Sequence, residues 1–199
     1  MQIYTRRGDA GETAVFGARV PKDDPRVEAC GTVDEANCFV GDAIARMAER
    51  DQERYADMIE VLTEVQQEIF DVGSDFAVVK GKRPYKITME QVDRLEPLID
   101  QYLSQAMAVK KFILPGGTTI SSALHLCRTV VRRAERRAVT LTDHGEINDA
   151  ARRYLNRLSD LFFALARAAN ARENREDVQY VRGRDVFRDR SRKEGKAGK

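Results

Sequence analysis

Apolar and small residues recur along this chain at alternating spacings of three and four, in five separate runs. The first is Cys30, Val33, Asn37, Val40, Ile44 and Met47, and the second is Met58, Leu62, Val65, Ile69, Val72, Phe76 and Val79. A third, Val92, Leu95, Ile99 and Tyr102, follows Thr88 and Gln91, the pairing of a capping box at a helix start. The fourth is Leu124, Cys127, Val131, Ala134, Ala138 and Leu141; the fifth is Ala151, Leu155, Leu158, Phe162, Leu165 and Ala169. This spacing places each set on one face of a helix, and its coiled-coil-like regularity favours shallow crossing angles. The expected fold class is all-α, a five-helix bundle whose stripes form the core. Asn37 is the polar exception, suited to setting register or making an interface contact, with a ligand role left open.

Two segments break the helical pattern. Residues 1–24 carry Gly8, Gly11, Gly17 and Pro21, with short β-type pieces such as Gln2–Tyr4, and read as a non-helical N-terminal loop. A second runs from about Ser104 to Ile120 and contains Phe112 followed by Pro115, Gly116 and Gly117. No linker divides the chain, so residues 1–182 are expected to form a single domain and 183–199 a basic, flexible tail.

Composition narrows the class. The chain has 199 residues, enough for one substantial core, with 33% charged residues. It shows neither a signal-peptide segment nor an apolar run of membrane-spanning length, so a cytoplasmic location is expected. Net charge is +2, yet the tail from Arg182 holds eight Lys or Arg against three Asp or Glu, leaving the preceding residues acidic overall. Cys30, Cys38 and Cys127 lack metal-binding spacing and read as reduced thiols. Only two histidines occur, His125 and His144, so no metal-ligand set is expected.

Against that background one stretch stands out, Arg128 to Arg137, reading RTVVRRAERR. Arg128, Arg132 and Arg136 fall at i, i+4 and i+8 and stack on one helical face, an arrangement that costs a few tenths of a kcal/mol per like-charge pair, roughly. Such a ladder is either relieved by carboxylates or presented to an anion, and Glu135 alone cannot neutralise five arginines. The segment Thr5-Arg6-Arg7-Gly8-Asp9-Ala10-Gly11-Glu12-Thr13 is a second anion-ready feature. Its glycines let backbone N–H groups turn toward a ligand, and its arginines can fork onto phosphate oxygens. It is not a Walker loop, because the G-x-x-x-x-G-K-[ST] pattern is absent. No nucleophile–histidine–acid arrangement is evident, so an enzyme built this way works by positioning and charge.

Six blocks, IYTRRGDAGET (3–13), VPKDD (20–24), EACGTVDEAN (28–37), FILPGG (112–117), SSALHLCRTVVRRAERR (121–137) and YLNRLSD (154–160), occur in the order seen in one family. Over nearly all of residues 2–182 the chain resembles the ATP:cob(I)alamin adenosyltransferases of the propanediol-utilisation type. That resemblance implies a five-helix-bundle subunit in a homotrimer with active sites between neighbours. It assigns Thr5, Arg6, Arg7, Gly8, Gly11, Thr13 and Lys22 to the ATP triphosphate. It also assigns Arg132, Arg133, Glu135, Arg136 and Asn156 to the facing surface of the next subunit. It further implies an ion pair of Asp34 with Arg128, and Phe112 packed against the lower face of the corrin. Catalytic weight thus falls on Phe112, Arg132, Asp34 and Arg128. ATP with Mg²⁺ and cob(I)alamin are the implied reactants, a flavoprotein reductase is a candidate partner, and neither nucleic acid nor membrane is implied. His125, just before the arginine block, is expected to pack.

Two other classes of function compete. A nucleic-acid-binding module would use the arginines and the tail and lose affinity steeply with salt, but the acidic body and the absence of interleaved aromatics weigh against it. A protein that only binds or delivers a nucleotide or corrinoid would bind both without turnover.

Overall fold

The computed structural model describes residues 4–79 and 83–182. A short hairpin, β1 (Glu12–Val15) and β2 (Ala18–Pro21), precedes five helices: α1 (Pro25–Asp51), α2 (Ala56–Phe76), α3 (Met89–Leu103), α4 (Thr119–Thr142) and α5 (Asp149–Arg172). The predicted stripes are the core. All six positions of the fourth and of the fifth run are buried, as are Met58 to Phe76 of the second. Helix α4 packs between α1 and α5, with α2 beyond α1 and α3 beyond α5. No helix among the described residues is long and apolar enough to cross a membrane.

Local chemistry explains the helix starts. Asp24 caps α1, its carboxylate accepting from the Arg26 N–H at 2.8 Å, and Pro25 occupies the first turn where its missing N–H costs nothing. Thr88 and Gln91 form the expected capping box of α3. Thr118 caps α4 by accepting from the Ser121 N–H at 3.0 Å. Asn148 caps α5 with its side-chain oxygen, while its amide donates to Asp75 at 2.8 Å and to the Ile87 carbonyl at 2.7 Å. The buried Asp75 also accepts from the Lys86 and Ile87 N–H groups, so one carboxylate ties the entry of α3 to the start of α5.

The structure departs from the periodicity at a few places. Val79 lies past the end of α2, exposed, with its N–H on the Phe16 carbonyl at 3.0 Å. Cys30, Ile44 and Ile99 sit at the margin of the core rather than inside it. Helix α4 begins at Thr119, at the edge of the expected loop. The hairpin at 12–21 replaces what reads as irregular loop, its tip at Phe16–Gly17 with Gly17 at φ 86°. Most of Gln2–Tyr4 and all of the tail from 183 lie outside the described residues.

Candidate functional site

Helix α4 carries its arginines on three sides. Arg133 is paired with Glu35 of α1, and Arg137 lies 3.1 Å from Glu28 of the same helix. The α1 carboxylates therefore take up the arginines beside the ladder, Arg133 and Arg137, and leave Arg128, Arg132 and Arg136 without an ion pair among the described residues. Glu135 instead faces α5 and accepts from the Asn156 amide at 2.8 Å. The Arg136 guanidinium donates to the Arg132 carbonyl at 3.0 Å. The Arg132 side chain, exposed, makes no hydrogen bond or ion pair with any described residue. Four of the expected residues (Arg132, Glu135, Arg136 and Asn156) thus share the α4–α5 surface, with Arg133 turned to α1.

Asp160, one turn beyond Asn156, joins them. Burial pushes its carboxyl above the usual range and Glu135 adds to this, while Arg157 and Arg132 pull it back. It stands at i+4 from Asn156 within YLNRLSD, a spacing visible in the sequence but with nothing there to say that the shared face meets Arg132.

The N-terminal loop is folded on itself. The Lys22 N–H donates to the Gly11 carbonyl at 2.9 Å, and Gly11 in turn donates to Gly8 at 3.2 Å. Arg19 reaches the Arg7 carbonyl at 2.8 Å, and the Arg7 N–H approaches the Thr5 hydroxyl at 3.4 Å. Any Cβ on Gly8 would stand 3.4 Å from the end of the Lys22 side chain, so Lys22 lies over this turn. Thr13 sits on β1 opposite Val20. Arg6, stacked 5.7 Å from the Tyr4 ring, adopts φ 58°. A non-glycine residue held there costs about 1–2 kcal/mol, and such strain clusters at ligand clamps. Thr5, Arg6, Arg7, Gly8, Gly11, Thr13 and Lys22 are thus brought together, but no hydrogen bond or ion pair among the described residues joins residues 5–13 to α4.

Asp34 and Arg128 are not paired within the chain. Asp34 lines a groove of about 260 Å³ between α1 and α2 with Cys30, Asn37 and Phe70. Asn37 spans it, donating to the Gln66 carbonyl at 3.3 Å while its own side-chain oxygen has no partner. Arg128 is half-buried on α4 with its Nε unpartnered, and burial together with Arg132 lowers its affinity for the proton.

Phe112, exposed on the α3–α4 connection, is held through its main chain. Its carbonyl accepts from the Tyr180 N–H at 2.7 Å, and the Leu114 N–H donates to Val178 at 2.8 Å. Behind it, Asn170 of α5 donates to the Gly116 carbonyl at 3.1 Å and accepts from the Thr118 N–H at 2.9 Å. Asp177 accepts from Arg167 at 2.7 Å and from Asn170 at 3.1 Å. This support falls on residues 167–180, and no motif in the sequence singles them out.

His125 packs, as expected, edge-on to Phe163, with neither ring nitrogen bonded. Burial, with Arg128 next, lowers its pKa to about 4, Asp177 opposing. Its unfolded value is about 6.5, so the unfolded chain takes up a proton between those values that the folded chain refuses. Stability from this group is present above about pH 6.5 and drains away as pH falls toward 4. His125→Gln is expected to flatten the stability–pH curve between pH 6.5 and 5 by about 1–2 kcal/mol, measured by urea unfolding. Parallel curves for the two proteins would show that His125 does not titrate this way.

A family model described as cobalamin adenosyltransferase matches residues 3–169. The chain is 48% identical over 194 residues to the corrinoid adenosyltransferase of Bacillus subtilis (strain 168), covering 98% of this chain and 100% of that protein. It is 40% identical over 188 residues to the Homo sapiens corrinoid adenosyltransferase MMAB, covering 91% and 74%. A variant PduO-type ATP:corrinoid adenosyltransferase from Lactobacillus reuteri, solved in complex with cobalamin and ATP, superposes with TM-score 0.88 at 43% identity over 94% of this chain and 100% of that one. Another variant of that type from the same organism, solved with ATP, gives TM-score 0.83 at 42% identity over 89% and 99%.

Proposed function

The chain belongs to the cobalamin adenosyltransferase family and is an ATP:corrinoid adenosyltransferase, and from that premise we propose how its residues divide the work. The reaction moves the 5′-deoxyadenosyl group of ATP to the cobalt of cob(I)alamin. The Co(I) electron pair attacks the ribose 5′ carbon, the carbon–oxygen bond breaks, and triphosphate leaves with that bond's electrons. The nucleophile carries no proton to remove, so no general base is required. What the protein supplies is alignment and charge for the leaving group.

The observation that carries this reading is Arg132, exposed and without an ion-pair partner, beside Arg136 on a surface where Glu135 and Asn156 are already bonded to each other. Arg132 and Arg136 meet the triphosphate; Glu135 and Asn156 brace the surface. Arg133 joins them by exchanging Glu35 for phosphate. The strained turn of residues 5–13, with Lys22 over it, clamps the same triphosphate from a neighbouring subunit. Asp34 and Arg128, apart within one chain, pair across that boundary, which makes the working form an oligomer, in our reading a cytoplasmic homotrimer. Among the described residues no group of three or more His, Cys, Asp or Glu is placed to hold a metal. Mg²⁺ arrives as Mg–ATP, ligated largely by phosphate and water.

Phe112 supports the corrin's lower face and excludes the lower axial ligand, leaving a four-coordinate Co(II) that is easier to reduce, with a flavoprotein as electron donor. Anaerobic mixing with ATP and chemically prepared cob(I)alamin is expected to give the cobalt–carbon product spectrum. Binding of both without product would instead favour a delivery protein. Phe112→Ala is expected to slow turnover from cob(II)alamin by about 10²-fold, the scale of a misplaced reacting group, and transfer to prereduced cob(I)alamin far less. Equal losses in the two assays would reject the wedge role.

A further inference from the structure

Phe112 projects from a connection that has no helix or sheet of its own to stiffen it. What it has is a short antiparallel ladder with the chain beyond α5. Ile113 pairs with Gln179, flanked by the Tyr180 N–H on the Phe112 carbonyl at 2.7 Å and the Leu114 N–H on the Val178 carbonyl at 2.8 Å. Residues 178–180 are themselves exposed, so burial does not hold them in place. They begin at Asp177, whose carboxylate accepts from Arg167 Nε at 2.7 Å and Asn170 Nδ2 at 3.1 Å. Those side chains of α5 are almost fully buried, and they grip the connection on its other flank too. Arg167 donates to the Met107 carbonyl, and Asn170 bonds Gly116 and Thr118.

We infer that Asp177 and the strand residues 178–180 are positioning elements for Phe112. Asp177 fastens the strand to α5, and the strand's Tyr180 N–H fixes the main chain from which the Phe112 ring extends. The physical reason is stiffness. A side chain on an irregular loop wanders unless its backbone is hydrogen-bonded to something rigid, and here the rigid body is α5, reached through one buried ion pair. Neither Asp177 nor Tyr180 needs to touch ATP or the cobalt.

This inference rests on the role proposed above for Phe112, and the experiment separates the two. Asp177→Asn weakens the tie to Arg167. Because it also leaves the buried Arg167 charge poorly partnered and can impair folding, Tyr180→Pro serves as the second variant, deleting the N–H that donates to the Phe112 carbonyl together with an exposed side chain. Val181→Pro, at the next exposed position, is the control. Cob(II)alamin bound in the presence of ATP is followed by electron paramagnetic resonance for the four-coordinate signal. Turnover is measured from cob(II)alamin with a reductant and from prereduced cob(I)alamin.

Tyr180→Pro, and Asp177→Asn where folded, are expected to lower the four-coordinate signal and slow turnover from cob(II)alamin about tenfold, with transfer to cob(I)alamin changed far less. Val181→Pro is expected to match the parent protein. A folded Tyr180→Pro with an unchanged signal, or with equal losses in both assays, overturns the positioning role. If Phe112→Ala itself keeps the four-coordinate signal, the wedge reading fails, and the inference fails with it for that distinct reason.

Discussion

Replacing Arg132 by alanine is expected to lower kcat for adenosyl transfer by about 10²–10³-fold, the usual cost of removing one preorganised charge from a leaving group's site. The side chain is exposed and forms no hydrogen bond or ion pair among the described residues, so its loss removes only its attraction for the Asp160 carboxylate and the melting temperature should change little. A comparable fall in both kcat and kcat/KM marks an interaction made in the transition state; a rise in KM alone marks ground-state binding of ATP. Arg137→Ala is the matched control. It deletes the same charge five residues away, but from a side chain engaged 3.1 Å from Glu28. An Arg132→Ala enzyme that turns over within a few-fold of the parent would remove Arg132 from the leaving-group site.

Gly117→Ala should act through structure instead. Gly117 has φ 106°, and a Cβ there would stand 2.3 Å from the Asn170 side-chain oxygen. That oxygen cannot move away without abandoning the Thr118 N–H at the start of α4. Displacing the amide also breaks its bonds to Gly116 and Asp177. A strained φ costs about 1–2 kcal/mol, and each buried group left unsatisfied costs about 1–3 more. A total loss of about 3–5 kcal/mol is expected in urea unfolding. Gly116→Ala provides the comparison. Its φ of 153° is also unusual, but no atom lies within 4 Å of its would-be Cβ, so only the backbone term applies. Equal losses at the two positions would show that the clash with Asn170 is not what the glycine avoids.

Helices were legible in the sequence because each needs only local information. The runs from Leu124 to Leu141 and from Ala151 to Ala169 repeat at helical spacing, and Thr88 with Gln91 announces a helix start within four residues. The hairpin was not legible. Its strands are four residues long, alternate only between half-buried and exposed, and owe their position to Phe16 pairing with the chain beyond α2. Val79 lies outside the helix for the same reason, since its N–H serves that pairing rather than the α2 ladder. The anion-ready character of residues 5–13 and of the α4 arginines could also be read directly, because glycine, threonine and arginine carry that chemistry wherever they sit.

By itself, then, the sequence determined a five-helix bundle and the faces that form its core, and it singled out two arginine-bearing segments as candidates to meet phosphate. The tertiary structure decided how the five arginines of the stretch from Arg128 to Arg137 divide. Arg133 and Arg137 are taken up by Glu35 and Glu28, about a hundred residues earlier in the chain, and Arg132 is left open. It also decided that Phe112 is held by a backbone bridge to residues 178–180, tied in turn to α5 through Asp177, and that Asp34 lines the α1–α2 groove without pairing with Arg128 in one chain. The reason is the range of the forces involved. Hydrophobic periodicity and capping act within a few residues, whereas an ion pair or a backbone ladder depends on which distant helix faces come together, and no local spacing records that.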